Sequence, residues 1–120
     1  MSEKVDIIEL IEAGIRAESL RRKAIANNIA NLQTPGYRRV AAEFEELLAR
    51  KMKSPGSVGV GNIEVQLYHP DDTAVNSNGN NVNLETEIGT LIKNSLRQKT
   101  YFRVLRKKYN QMELAIRTKE

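Results

Sequence analysis

The hydrophobic positions near the C-terminus recur at alternating intervals of three and four residues, from residue 84 to residue 116. This spacing is typical of a helix that packs along one face against another helix. No proline follows residue 70, and Asn83 is a suitable N-cap, so the pattern predicts a long helix over residues 84–117. Its apolar face comprises Leu84, Ile88, Leu91, Phe102, Leu105, Tyr109, Met112 and Ile116, with the polar residues Ser95 and Gln98 in the middle.

A second pattern with the same intervals occupies the N-terminal third and predicts a helix over residues 1–33. Both patterns are apolar at their ends and polar in the middle. We therefore predict that the two helices pair as an antiparallel coiled coil, in which a polar layer fixes the register at some cost in stability. In that register Glu18 and Arg22 lie near Gln98 and Phe102. The apolar positions of the first helix are Ile8, Ile11, Ile15, Ile25, Ile29 and Leu32, and the polar layer consists of Glu18, Arg22, Ser95 and Gln98.

The segment between the two helices, residues 34–83, has a different pattern. Residues 40–52 have the amphipathic period of a short helix. Residues 63–68 alternate apolar with polar side chains, which predicts a half-buried strand, and the glycines before it allow a hairpin against residues 57–60. Residues 69–83 are rich in asparagine, aspartate and glycine, which predicts a loop that is mobile in the free monomer. The predicted fold class is mainly α, with a small helix and strand excursion.

Composition limits the function more than it limits the fold. The 120 residues suffice for a single domain, residues 1–120, with a modest core. The chain has no cysteine and one histidine, His69, so neither a thiolate metal site nor a histidine cluster can form. The glycines of the middle segment lack the Gly-Lys-Ser/Thr sequence of a phosphate-binding loop. We expect no enzymatic activity, no catalytic residue, no metal and no cofactor. No stretch resembles a signal peptide or a membrane span.

The net charge of +4 is concentrated at one end, because residues 97–120 carry eight basic and two acidic residues. Such a run is typical of a solvated helix face, and also of contact with nucleic acid, an anionic membrane or an acidic partner. A basic helical protein that binds nucleic acid is therefore one alternative function, and its binding would weaken steeply with salt. A cytosolic coiled-coil adaptor is another. The basic run comprises Arg97, Lys99, Arg103, Arg106, Lys107 and Lys108.

The sequence NNIANLQTPGYRR, residues 27–39, ends the first helix abruptly. Thr34 precedes a proline, which disfavours helical backbone, and Pro35-Gly36 suits the central positions of a type II turn. The turn gives Tyr37 a defined direction. Asparagine amides both donate and accept, so they can bind the backbone of a neighbouring chain or loop. We predict a rigid corner that serves assembly, formed by Asn27, Asn28, Asn31, Thr34, Pro35, Gly36 and Tyr37.

Two stretches resemble a known family. ANNIANLQTPGY, residues 26–37, is similar to the N-terminal signature of the axial proteins of the bacterial flagellum. NGNNVNLETEI, residues 78–88, followed by a long basic helix, resembles the C-terminal signature of the basal-body rod family in its short B-type proximal class, which lacks a large inserted domain. The C-type proximal class of the same family is the alternative. This chain has Asn83 where many relatives carry aspartate.

The resemblance implies a structural subunit of the proximal rod that transmits torque from the motor to the hook. It implies polymerisation in the periplasm with copies of itself and other axial rod proteins, and contact with the export-gate junction at the rod base. It also implies export by the flagellar type III apparatus without a cleaved signal peptide, and neither nucleic acid nor a membrane span. Neighbouring subunits are then expected to cover further apolar stripes, namely Ala13, Ala17, Leu20 and Ala24 on the first helix and Ile92, Leu96 and Val104 on the last.

Overall fold

The computed structural model describes residues 6–53 and 62–118. The two terminal helices pack against each other and run antiparallel, which confirms the predicted mainly α architecture. The longest dimension of the molecule is 67 Å, and the 35 residues of the last helix account for about 52 Å of it. In chain order the elements are α1 (Ile7–Ala30), β1 (Ala41–Glu43), α2 (Glu45–Lys53), β2 (Gln66–Tyr68) and α3 (Leu84–Thr118).

Local side-chain chemistry sets the helix ends. The Asp6 carboxylate accepts a hydrogen bond from Ile8 N at 2.9 Å and caps the start of α1. The Asn83 side chain accepts from Thr86 N at 3.0 Å and caps the start of α3 in the same way. α1 ends at Ala30, earlier than the expected boundary, because residues 31–33 form a turn instead of continuing the helix.

Two short strands pair within the middle segment. β1 and β2 pair antiparallel, with Ala42 opposite Leu67. Residues 41–43 therefore form a strand where the sequence predicted the first turn of a helix, and α2 begins only after Phe44. The predicted hairpin partner, residues 57–60, lies outside the described residues. The strand that does form, Gln66–Tyr68, is the second half of the predicted span of residues 63–68.

The small apolar core joins α1 to this middle segment. Ala13 and Ala17 of α1 are buried against Phe44, and Leu48, Ile63 and Val65 pack around them. Ala13 and Ala17 of the predicted stripe are therefore covered by the chain's own middle segment, whereas the sequence suggested that neighbouring subunits would cover them. The small alanine side chains allow the aromatic ring to lie close to the helix backbone.

The register of α1 against α3 differs from the predicted one by about one helical turn. Glu18 contacts Asn94, with Asn94 Nδ2 donating to Glu18 O at 2.7 Å, and it forms an ion pair with Arg97. Its predicted neighbours were Gln98 and Phe102. Arg22 donates to Ser95 Oγ at 3.1 Å. Two members of the predicted polar layer therefore meet, although Arg22 was expected near Gln98 and Phe102.

The face that α3 turns toward α1 is also rotated. Glu87 and Asn94 are buried there, although they lie beside the predicted apolar seam and not on it. A buried carboxylate or amide without a partner costs more free energy than an exposed apolar side chain, so pairing these groups with α1 sets the rotation of α3. On the predicted seam Ile11 and Ile25 are buried, Ile8, Ile15, Ile29, Leu32, Leu91, Ser95, Gln98 and Leu105 are half-buried, and Leu84, Ile88, Phe102, Tyr109, Met112 and Ile116 are exposed.

Candidate functional site

Asn28, on the last turns of α1, lies at the centre of a buried hydrogen-bond network. Its Nδ2 donates to Val40 O at 2.9 Å and to Glu87 Oε1 at 2.7 Å. Its Oδ1 accepts from Val40 N at 2.8 Å and from the Tyr37 hydroxyl at 3.1 Å. The amide thus pairs with both backbone groups of Val40, as a neighbouring strand would, and its hydrogen-bonding capacity is fully used.

The turn that follows α1 aims Tyr37 at this network. Gly36 has a φ of 75°, and Tyr37 N donates to Thr34 O at 3.2 Å. A positive φ at the third position is the geometry of a type II turn. Burial raises the pKa of Tyr37, and the negative charge of Glu87 raises it further. The phenol therefore stays protonated and keeps its hydrogen bond to Asn28.

The segment before α3 docks onto the end of α1. The Asn78 carbonyl accepts from Gly36 N at 2.8 Å. Asn80 Nδ2 donates to Asn31 O at 2.9 Å and to Thr34 O at 2.8 Å. Carbonyls at a helix C-terminus have no partner within the helix, so the fully buried Asn80 amide completes the end of α1.

This docking shows that the end of the predicted loop, residues 69–83, is buried and not solvated, while its mobility in the free monomer stays a prediction. Asn80, Asn81 and Val82 are buried, and Asn81 Oδ1 accepts from Arg39 N at 2.6 Å. A composition rich in asparagine indicated a solvated loop. Asparagine amides can also replace backbone partners, and that property decides the structure of this segment.

Two charged residues, Arg39 and Glu87, complete the network, and the sequence pattern did not predict either of them as part of the site. The buried Arg39 guanidinium donates through Nε to Glu87 Oε2 at 2.9 Å and through Nη1 to Asp72 Oδ1 at 2.9 Å. Both oxygens of the fully buried Glu87 carboxylate are therefore bonded, one to Arg39 and one to Asn28. The available signal was Glu87 itself, an acidic side chain one turn inside the predicted start of the last helix.

We call this arrangement the corner joint: residues 28–40 of the chain held against residues 72–87. Within the predicted corner, Asn28 and Tyr37 contribute side chains to it, and Asn31, Thr34 and Gly36 contribute backbone groups. Asn31 Nδ2 donates to Asn27 O at 2.8 Å, and its Oδ1 accepts from the Thr34 hydroxyl at 3.1 Å, so Asn31 supports the turn locally. The side chain of Asn27 and the ring of Pro35 are exposed.

A second polar cluster lies halfway along α1. The fully buried Glu18 carboxylate is 2.7 Å from Arg21 Nη1 and 3.1 Å from Arg97 Nε, and it accepts from Asn94 Nδ2 at 3.0 Å. Arg97 is the first residue of the basic run. Its ion pair with Glu18 directs the Arg97 side chain toward α1 instead of toward an external anion. Next to the cluster, a Cβ at Gly14 would lie 2.5 Å from Tyr101 Cζ, so the glycine lets that ring pack on α1.

Arg21 extends this cluster to the middle segment. Its two terminal nitrogens donate to the two carboxylate oxygens of Glu45, the first residue of α2. These hydrogen bonds lower the pKa of Glu45. Arg21 therefore links α2 to Glu18 and, through Glu18, to α3.

Both clusters hold elements of the fold in position. Within residues 6–53 and 62–118, no set of three or more acidic or histidine side chains is grouped so as to hold a metal ion. None of the helices in that part of the chain combines the length and apolar character needed to cross a bilayer. The arrangement is that of a structural joint.

Comparison with known proteins agrees with that role. Residues 13–38, which include the second half of α1, Asn28 and the turn, match the family described as flagella basal body rod protein. The flagellar basal body rod protein FlgB of Bacillus subtilis is 25% identical over 118 residues, covering 91% of this chain and 92% of the relative. The chain is thus similar to flagellar basal-body rod proteins over most of its length. The resemblance inferred from the sequence is confirmed by these matches.

Other members of the rod family match in part. FlgB of Borreliella burgdorferi is 28% identical over 96 residues, which cover 65% of this chain and 71% of the relative. The rod protein FlgG of Caulobacter vibrioides is 42% identical over 45 residues, and the match covers only 17% of that relative's length. The family is a structural one and not a class of enzymes.

Proposed function

We propose that this rod-family chain is a B-type subunit of the proximal rod, polymerising in the periplasm with copies of itself and other axial rod proteins and transmitting torque from the motor to the hook. The alignment with the FlgB protein of Bacillus subtilis supports the B-type assignment, since it covers 91% of this chain and 92% of that relative. Contact with the export-gate junction at the rod base belongs to the same proposal.

The observation that carries the assembly role is the exposed apolar stripe of α3. Phe102, Tyr109, Met112 and Ile116 lie on one side of the helix and are 49%, 48%, 48% and 66% exposed. Tyr101 packs at Gly14, so α1, which begins at Ile7, reaches along α3 only as far as the turn before Tyr109. Every residue from 109 to 118 is accordingly exposed. Each large apolar side chain left in water forgoes about 1.5–3 kcal/mol, so burial against another subunit would be favourable.

A groove between the helices at the opposite end supplies a complementary surface. It has a volume of about 570 Å³ and lies beside α1 near the corner joint. Small alanines in its floor would let a helix approach closely. We propose that the stripe of one subunit packs along this groove of the next, because a head-to-tail contact between unlike surfaces builds an open filament when its rotation does not close a ring. The groove is lined by Arg22, Ile25, Ala26, Ile29, Ala30 and Leu91.

Export in an unfolded state by the flagellar type III apparatus is also part of the proposal. The bond between Asn28 and Glu87 joins residues 59 positions apart, and the contact between Glu18 and Asn94 spans 76 positions. Such contacts form only when both ends of the chain are free to meet. The corner joint would therefore close after the chain has left the export channel, where polymerisation begins.

A double variant on the α3 stripe and a control variant off it test the assembly role. Met112→Gln combined with Ile116→Gln removes apolar surface without changing charge, in a region that no described residue covers. We expect the variant to be secreted and folded like the unmodified chain but to leave cells non-motile and without rods. Leu114→Gln, which alters an equally exposed side chain on the other side of α3, is the matched control and should preserve motility. Normal motility of the double variant would contradict the proposal.

A further inference from the structure

Asn78 and Gly79 form the single Asn-Gly pair of the chain, and they lie where the loop docks onto the corner joint. The Asn78 carbonyl accepts from Gly36 N at 2.8 Å, and its side-chain Oδ1 accepts from Asn80 N at 3.1 Å. Gly79 N donates to Asn76 O at 2.9 Å. The Asn78 side chain is otherwise exposed to water.

An Asn-Gly pair can react with itself, because glycine has no side chain to hinder its own amide nitrogen. That nitrogen loses its proton to water and forms a bond to Cγ of the preceding asparagine. The bond from Cγ to Nδ2 breaks, and Nδ2 takes up a proton and leaves as ammonia. Water then opens the resulting succinimide at either carbonyl and gives aspartate or isoaspartate. Water is the only co-reactant, and nothing is oxidised or reduced.

We propose that Asn78 is a deamidation site whose rate is controlled by the corner joint, slow when the joint is closed and fast when it is open. In the closed joint the Gly79 N–H is held by Asn76 O, which disfavours loss of its proton. The hydrogen bond from Gly36 fixes the peptide plane between Asn78 and Gly79, and the hydrogen bond from Asn80 holds the side-chain amide. The reaction rate then follows the population of open joints.

The joint itself requires this labile pair. Gly79 has a φ of 87°, and a Cβ at this position would lie 3.2 Å from Gly36 Cα, so other residues would be strained. The Asn78 side chain bonds to the amide two residues on, a turn that asparagine favours. The geometry that closes the joint thus places a reactive pair inside it.

The isoaspartate product would prevent closure. Its main chain runs through the former side chain and gains one carbon, and the former carbonyl of Asn78 becomes a free carboxylate. The acceptor for Gly36 N therefore moves away from its position. The aspartate product keeps the original main chain and leaves that acceptor in place. A chain that stays unfolded for long would accumulate a form that can no longer close its joint.

The first experiment compares deamidation of the full-length chain in native buffer and in guanidinium chloride, measured by ammonia release and by peptide mapping. We expect conversion at position 78 to be at least about tenfold slower in the native chain. Asn78→Ser, whose hydroxyl can keep the turn but carries no amide, gives the background at this position. Equal rates in the native and unfolded chains would overturn the proposal, and so would an absence of reaction in the unfolded chain.

A second variant tests the control by the joint. Asn80→Ala removes the amide that holds Asn31 O and Thr34 O, and its deamidation at Asn78 should approach the unfolded rate. Graded guanidinium concentrations make the same comparison in the unmodified chain, where the rate at Asn78 should rise in parallel with amide exchange at Gly36. A rate that does not change while Gly36 exchange accelerates would contradict the proposal.

The consequence for closure is tested on the separated products. After refolding, the isoaspartate form at position 78 should show fast amide exchange at Gly36, whereas Asn78→Asp should retain slow exchange. Equal protection of Gly36 in the two forms would show that the extra main-chain carbon does not open the joint.

Discussion

Asn28 and Asn80 make hydrogen bonds that the backbone makes in regular secondary structure. Asn28 pairs with both the N–H and the carbonyl of Val40, and Asn80 binds the carbonyls of Asn31 and Thr34. Both side chains are fully buried. Each group that lost its partner there would face a low-dielectric interior without water, so the removal of one amide costs more than the bonds it makes are worth.

At this scale, the neighbouring residues Asn27 and Asn28 make a matched test. Asn28→Ala leaves groups of Val40, Tyr37 and Glu87 unpaired, and we expect the free energy of unfolding to fall by about 2–4 kcal/mol. Asn27 is exposed, so Asn27→Ala should raise stability by a few tenths of a kcal/mol through helix propensity. Guanidinium unfolding followed by circular dichroism measures both changes. Equal midpoints for the two variants would show that the buried network adds no stability.

At the scale of elements, α1 and α3 could be predicted because periodicity and capping are local properties of the sequence. Asn83 marks the start of α3, and the spacing of apolar residues gives the length of α3 closely and the end of α1 to within about one turn. Register and rotation could not be predicted in the same way. They depend on which buried polar groups meet, such as Glu18 with Asn94, and these partners lie 76 positions apart. An apolar seam can slide by a turn at little cost, whereas a buried carboxylate has few acceptable partners.

The candidate site likewise has one part that the sequence predicts and one part that it does not. The turn at Pro35-Gly36 follows from the stereochemistry of the two residues, so the sequence predicts where the chain turns. The partner of that turn, residues 78–82, could not be predicted from composition, because the same amides suit solvent and buried backbone equally well. The resemblance identified both segments separately. Their contact, from Asn28 to Glu87 and from Gly36 to Asn78, is visible only in the fold.

The attachment of α2 is expected to depend on pH through Glu45. The hydrogen bonds from Arg21 lower the pKa of Glu45 below its ordinary value of 4.5. A group with a depressed pKa in the folded state stabilises the fold above its unfolded pKa, and this contribution is lost as the pH falls through the folded pKa. The stability difference between the unmodified chain and Glu45→Gln should therefore be constant above about pH 5 and shrink below pH 4.5.

The comparison with Glu45→Gln isolates this effect from its neighbours. Hydrogen bonding with Glu46 raises the pKa of Glu43, which changes stability in the opposite direction as the pH falls. Both forms of the chain share that contribution, so it cancels in the difference. Glu12→Gln, at an exposed position of α1, is the control. A stability difference for Glu45→Gln that stays constant to low pH would argue against the role of the ion pair.

At the scale of the whole molecule, the polar networks and the fully exposed last part of α3 lie at different ends. The corner joint and the Glu18 cluster hold α1, the middle segment and the first half of α3 together. The last part of α3, residues 109–118, contributes exposed side chains, and no described residue packs on them. A helix end of this kind opens at little free-energy cost, whereas the joint opens only when several buried bonds break together.

This division predicts two classes of amide exchange in the free chain. We expect slow exchange at Val40 and Asn81, whose N–H groups bond within the joint, and fast exchange over residues 109–118. If the α3 stripe is buried between subunits, residues 109–118 should become slow in assembled rods, while the joint stays slow in both states. Hydrogen exchange measured by mass spectrometry on free chain and on isolated rods makes the comparison, with the free chain diluted until its exchange no longer changes. Slow exchange of residues 109–118 in the fully diluted chain would mean that the helix end is stable by itself and would remove the reason for expecting assembly to order it.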